Sequence, residues 1–139
     1  MIDVSAYLNR INYRGSTEPT PETLRGIHRA HLLTVPFENL DIHLNRHIVL
    51  GEATLFDKIV LQKRGGFCYE LNGLLASLLR EIGFQVTIFS ANMLHGGIPQ
   101  KIDHLTLLVE LNERWIVDVG VGDTSRLPLR LDDDSEQFG

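Results

Sequence analysis

Apolar residues recur at three- and four-residue steps up to Gly83 and at two-residue steps beyond it, so the chain changes from helix-forming to strand-forming there. Leu71, Leu74, Leu75, Leu78, Leu79 and Ile82 make an unbroken helical stripe. That helix begins near Cys68, carries Arg80 in its last turn, where a cation is favoured, and stops at Gly83. Asp3 is placed to cap an earlier helix through Ile11 that buries Tyr7, Leu8 and Ile11. Thr20-Pro21-Glu22 marks a second helix start: a capping hydroxyl, a proline in the first turn and an acid at the positive end of the dipole. Its stripe holds Leu24, Ile27, His28 and His31, and Pro36 disfavours helical geometry at Val35, which ends the helix near Thr34. A further helix, capped by Thr54, runs through Lys63 with Leu55, Ile59 and Gln62 on its inner side.

Gln85 to Ser90 and His104 to Val119 are rich in branched residues and read as strands. Asn92 to Lys101, with Gly96, Gly97 and Pro99, reads as a surface loop between them. The tail from Leu131 to Gly139 holds three consecutive aspartates and few apolar residues, and reads as frayed or as the edge of a larger unit. The pattern is that of an α+β chain: residues 1–83 helical and bearing the cysteine, residues 84–139 β-rich.

Composition narrows the function. A hydrophobic share of 43% with 22% charged residues belongs to an ordinary globular protein. A net charge of -5 without a basic patch argues against nucleic acid as a partner. No stretch approaches the roughly 18 apolar residues of a membrane span, and Met1-Ile-Asp-Val-Ser lacks the basic region and apolar run of a secretory signal. A single cysteine cannot form an intramolecular disulfide, so a reducing cytoplasm is the simplest location.

Cys68 stands three residues before Leu71, on the face of the stripe and in the first helical turn. There the exposed N–H groups and the helix dipole stabilise a thiolate, while desolvation opposes it. Gly65-Gly66 lets the chain turn sharply and lets another group come close. The competing account is a small buried hydrophobe behind two glycines that merely connect helices.

A nucleophilic thiol needs a base. His28 and His31 follow a helical stripe and read as packed or surface groups, whereas His43 and His47 lie in a loop without HExxH or paired cysteines for a metal. His95, in the glycine-bearing loop, remains a rival to His104, which opens a strand. A turn at Leu111-Asn112-Glu113 sets Val109 opposite Trp115, Leu107 opposite Val117, Leu105 opposite Val119 and Glu110 opposite Arg114. A two-residue turn at Asn112-Glu113 would put Asp118 on the apolar face, which is costly. In the first register His104 and Asp118 share the other face as diagonal neighbours, about 7–8 Å apart between backbones. An exposed His and Asp on a solvent face is the alternative. The order Cys, His, acid suits a thiol activated by imidazole.

Arg64-Gly-Gly-Phe-Cys-Tyr-Glu-Leu-Asn-Gly73 resembles the cysteine motif of the arylamine N-acetyltransferases. Val35-Pro-Phe-Glu-Asn-Leu40 resembles a second signature of that family, Asp103-His104-Leu105 its histidine segment, and Trp115-Ile-Val-Asp-Val-Gly-Val-Gly122 its aspartate segment. The resemblance implies a catalytic triad of Cys68, His104 and Asp118. It implies a helical domain followed by the start of an antiparallel β-barrel, in a cysteine-protease-like arrangement. Phe37, Phe67, Met93 and Val121 would line the acceptor pocket, with plain core packing as the alternative. A phenylalanine is usual where Val121 stands. Arg64 and Glu38 read as a structural ion pair holding the cysteine loop. Family members are about twice as long, so the chain is expected to correspond to their N-terminal half.

The implied reaction is ping-pong, with acetyl-CoA as co-substrate and no permanently bound cofactor. Cys68 takes the acetyl group and passes it to an arylamine, arylhydrazine or N-hydroxyarylamine. Two other functions stay open. One is a weakly active or inactive homologue that folds and forms a homo-oligomer through uncovered surface. The other is a thiol hydrolase with the same catalytic order.

Overall fold

The computed structural model describes residues 1–95, 98–122 and 125–137, with side chains described throughout these except at 93–95 and 98–103. Among these residues five α-helices precede four strands. Helix α1 spans Val4–Arg10, and the Asp3 side chain caps it by accepting the Ala6 N–H; Tyr7 and Ile11 are fully buried and Leu8 half-buried. Helix α2 spans Pro21–Thr34, capped by the Thr20 hydroxyl on the Thr23 N–H, and ends where Val35 turns extended ahead of Pro36. Its stripe of Leu24, Ile27, His28 and His31 is buried, as the periodicity predicts.

A short helix α3, Leu40–His43, follows. The next helix begins three residues earlier than the Thr54 cap would place it: α4 is Glu52–Phe56, with Gly51 as N-cap. It continues as a π-helical turn, Asp57–Leu61, which the Gln62 N–H closes on the Asp57 carbonyl. Leu55 and Ile59 point inward as expected, but Gln62 is exposed, because the wider turn rotates Val60 and Lys58 inward in its place. Arg10 explains how this region is held. Its guanidinium donates to the carbonyls of Ile59, Thr34, Lys63 and Arg64, joining α1 to the end of α2 and to the approach to the cysteine.

Helix α5, Cys68–Glu81, is the central support. Leu71, Leu74, Leu75, Leu78 and Leu79 are each 0% exposed. They pack beneath a four-stranded antiparallel sheet ordered β1-β2-β3-β4. Strand β1 spans Gln85–His95, β2 Ile98–Glu110, β3 Arg114–Val117 and β4 Leu129–Arg130. The stretch read as a loop over 92–101 is instead mostly the upper part of a long β1–β2 hairpin, with a register shift between Asn92 and Leu94. Long-range pairing overrides the local turn signal there. The β2–β3 register pairs Leu107 with Val117, Val109 with Trp115 and Glu110 with Arg114, as the three-residue turn predicts. Leu105 and Val119 lie outside that pairing, because β3 ends at Val117.

The sheet is open among the described residues. One hydrophobic core joins α1, α2 and α5 to Leu107, Val109, Trp115 and Val117, crossing the change from helix to strand at Gly83. The tail through Gln137 is not frayed. Arg114 pairs with Asp132 and Arg130 with Asp133, and the Gln137 side chain bonds both the N–H and the carbonyl of Arg130.

Candidate active site

The site forms where the first turn of α5 meets the segment that follows β3. Two glycines make the approach close enough. A Cβ at Gly65 would collide with the Pro36 carbonyl oxygen. One at Gly120 would stand 2.6 Å from the Cys68 Cα and 2.8 Å from Asn72 Nδ2. The backbone after Asp118 therefore lies directly against the helical turn that carries the thiol. Cys68 is a free, half-buried cysteine, not a sealed core residue.

Asp118 is the hub. Its Oδ2 lies 2.5 Å from His104 Nε2, and its Oδ1 accepts from Asn72 Nδ2 and from the Gly120 N–H, both at 2.9 Å. The carboxylate is a pure acceptor, so His104 Nε2 carries the proton and Nδ1 is left to accept one. His104 is 6% exposed. The pair thus faces inward, and the exposed-pair alternative does not hold. The side chain of the rival His95 lies outside the described residues.

Asn72 is the residue the sequence reading missed. It is 0% exposed, and its amide donates to the Leu105 carbonyl at 2.6 Å and to Asp118, while its oxygen accepts the Val119 N–H at 2.9 Å. Four residues after Cys68, it shares that residue's helical face. It fastens α5 to β2 and to the aspartate segment at once. A polar amide among Leu71, Leu74 and Leu75 was the signal.

Of the packed and surface readings of His28 the packed one holds, but the residue also touches the site. Its Nε2 lies 3.0 Å from the Asp118 carbonyl and its Nδ1 3.1 Å from that of Arg126, so α2 braces the aspartate segment. Burial pushes its imidazole below the ordinary value. His31 is packed near Tyr7 and makes no such link.

A second polar network lies beneath the cysteine loop. Arg64 Nη2 pairs with Glu38 Oε1 at 2.8 Å and with Asp41 Oδ1 at 3.0 Å, so the expected Arg64–Glu38 pair is present but belongs to a larger group. Lys58, 8% exposed, joins Asp41 at 2.8 Å and Glu70 at 2.7 Å. The other oxygen of Glu70 accepts the Phe67 N–H at 3.2 Å. Phe67 is the N-cap of α5 and has no polar side chain, so Glu70 supplies the cap.

Of the expected pocket residues, Phe37 is 45% exposed, and its backbone bridges to Gly66, while Phe67 and Val121 are half-buried. These three are not core residues. Met93 lies on β1, but its side chain is outside the described residues. Among the described residues no group of three or more His, Cys, Asp or Glu side chains is arranged to hold a metal, and no helix is long and apolar enough to cross a membrane.

Comparison with known proteins gives this geometry a context. A family model described as N-acetyltransferase matches residues 20–139. The chain is 42% identical over 130 residues to the arylamine N-acetyltransferase / N-hydroxyarylamine O-acetyltransferase of Salmonella typhimurium, covering 91% of this chain and 46% of that protein. It is 43% identical over 137 residues to a pineal gland arylamine N-acetyltransferase of Gallus gallus, covering 94% and 47%. The solved structure of the Salmonella typhimurium enzyme superposes with a TM-score of 0.89 over 96% of this chain and 50% of that one. An arylamine N-acetyltransferase of Mycobacterium marinum in complex with CoA superposes with a TM-score of 0.90 at 36% identity, over 99% and 54%. The chain spans about half the length of the curated relatives it matches.

Proposed function

The chain belongs to the arylamine N-acetyltransferase family, and on that premise we propose that Cys68 carries an acetyl group from acetyl-CoA to an arylamine, arylhydrazine or N-hydroxyarylamine. What carries this reading is the Asn72 amide, which ties the His104–Asp118 pair to the same helix face that bears the thiol. His104 Nδ1 takes the thiol proton, and Asp118 holds the tautomer and stabilises the imidazolium. The thiolate attacks the thioester carbonyl, a Cys68 thioester forms, and the CoA thiolate leaves with the proton that His104 returns. The acceptor nitrogen, or the oxygen of a hydroxylamine, then attacks the Cys68 thioester. Its proton goes to His104, and the Cys68 sulfur leaves as the thiol or thiolate.

The Cys68 N–H opens α5, where no intrahelical carbonyl precedes it, and is the oxyanion donor of this scheme. Half-buried Phe67 and Val121 and exposed Phe37 supply the acceptor's apolar wall, with Met93 the fourth member. Acetyl-CoA is a co-substrate, no cofactor stays bound, and a reducing cytoplasm suits a lone reactive thiol. On this reading the open sheet is the start of a β-barrel in a cysteine-protease-like arrangement.

Incubation with acetyl-CoA is expected to add one acetyl group to the Cys68 peptide and to release an equal amount of CoA. No adduct at any concentration contradicts the proposal. Peptide cleavage without transfer would point to a hydrolase.

A second reading is a folded, self-associating module of low activity. It draws on Ile88 and Phe89, 42% and 45% exposed on β1, a strand paired only with β2 among the described residues. Sedimentation showing a monomer, together with ordinary turnover, removes it.

A further inference from the structure

A buried lysine with two carboxylates in contact and a third 4.0 Å away does nothing in the reaction as written. Its position explains it. Among the described residues Glu70 is the only side chain that caps α5, and it lies 3% exposed, two residues along the chain from Cys68. A buried carboxylate bonded to the N–H one residue before the thiol caps the turn but opposes any negative charge on the sulfur. The Lys58 ammonium sits 2.7 Å from the Glu70 oxygen that is not used for the cap.

We propose that Lys58 is a positioning residue for the nucleophile: it neutralises Glu70, so that the carboxylate can hold the helical turn without repelling the Cys68 thiolate. The proposal rests on the reading of Cys68 as the acyl carrier. Among the described residues the other charged or titratable groups around this turn are Tyr69 within it, Glu38, Asp41 and Arg64 in the network below it, and His104 and Asp118 on the sheet side. Asp41 keeps Arg64 as a partner when Lys58 is removed, whereas the described contacts give Glu70 no second cation. Glu70 is therefore the group that Lys58 alone serves.

The test is the rate of Cys68 alkylation by iodoacetamide in the full chain, expressed as the neutral-pH rate divided by the rate at high pH. That ratio cancels differences in simple access to the sulfur. In the unsubstituted chain, a ratio like that of a free peptide thiol would defeat the acyl-carrier reading itself. Given a ratio above that level, Lys58→Met is expected to lower it about tenfold. Lys58→Met combined with Glu70→Gln is expected to bring it back to within about twofold. Glu70→Gln alone keeps the cap acceptor and should keep the original ratio. If Lys58→Met does not fold, the double variant is compared with Glu70→Gln, and the two ratios should agree. An unchanged ratio in Lys58→Met overturns the proposal. So does a double variant about tenfold below Glu70→Gln, because Lys58 would then act by another route.

Discussion

Two polar networks meet the first turn of α5, and they differ in kind. Asn72 shares the face of Cys68, whereas Glu70, two residues on, points about 200° away around the helix. On the Cys68 face stand Asn72, Asp118 and His104: one amide, one carboxylate and one imidazole whose two ring nitrogens can take and give a proton. On the far face stand Glu38, Asp41, Glu70, Lys58 and Arg64, joined to one another as ion pairs. The first network can move a proton during a reaction. The second cannot, and its task is to fix the loop and the cap from which the thiol projects. One short turn thus separates chemistry from architecture by helical phase alone.

The largest expected effect breaks the first network without disturbing its shape. In Asp118→Asn the oxygen can still accept from Asn72 and Gly120, but the amide nitrogen faces His104 and imposes the wrong tautomer. Acetyl transfer should fall about a thousandfold or more with the fold retained, as measured by steady-state kinetics and circular dichroism. Next comes Asn72→Leu, which orphans the Val119 N–H and the Leu105 carbonyl. It should cost about 3 kcal/mol in urea unfolding and also reduce transfer.

Acid separates two other contributions. Hydrogen bonds from Lys58 and then Arg64 hold the Asp41 carboxyl well below the usual carboxylate range. The unfolded chain therefore takes up that proton first, and the stability Asp41 contributes is present above the ordinary carboxylate range and lost as the pH falls through it. His31 acts at higher pH. Burial pushes its imidazole down to about 3, so between roughly pH 6.5 and that value the unfolded chain binds more protons and stability falls with falling pH. His28, also depressed by burial, contributes in the same window, so urea midpoints against pH should show a shallower upper part of this decline in His31→Leu and a shallower lower part in Asp41→Asn. The smallest effect is a control outside both networks: Thr20→Ala should cost about 1 kcal/mol through the α2 cap and leave Cys68 alkylation unchanged.

What the sequence revealed follows the same division. The stripe of α5, the stop of α2 before Pro36 and the β2–β3 register rest on local periodicity and local sterics, and all three stand. The register also brought His104 and Asp118 to one face, where they bond. Asn72, His28 and Lys58 were not assigned these roles, because each is defined by partners more than ten residues away. The π-helical turn was invisible for a related reason: tertiary bonds from Arg10 and the burial of Lys58 select it over an α-helical turn. The tail looked frayed by composition, yet Arg114 and Arg130 give its aspartates partners.

The mechanism turns on a covalent intermediate at Cys68. Protein first exposed to acetyl-CoA and then freed of nucleotide by gel filtration should transfer its single acetyl group to an added arylamine. The product should match the bound acetyl in amount, and Cys68 should return to a free thiol. Acetyl that stays on the protein, or that leaves only as acetate whatever amine is present, contradicts the account.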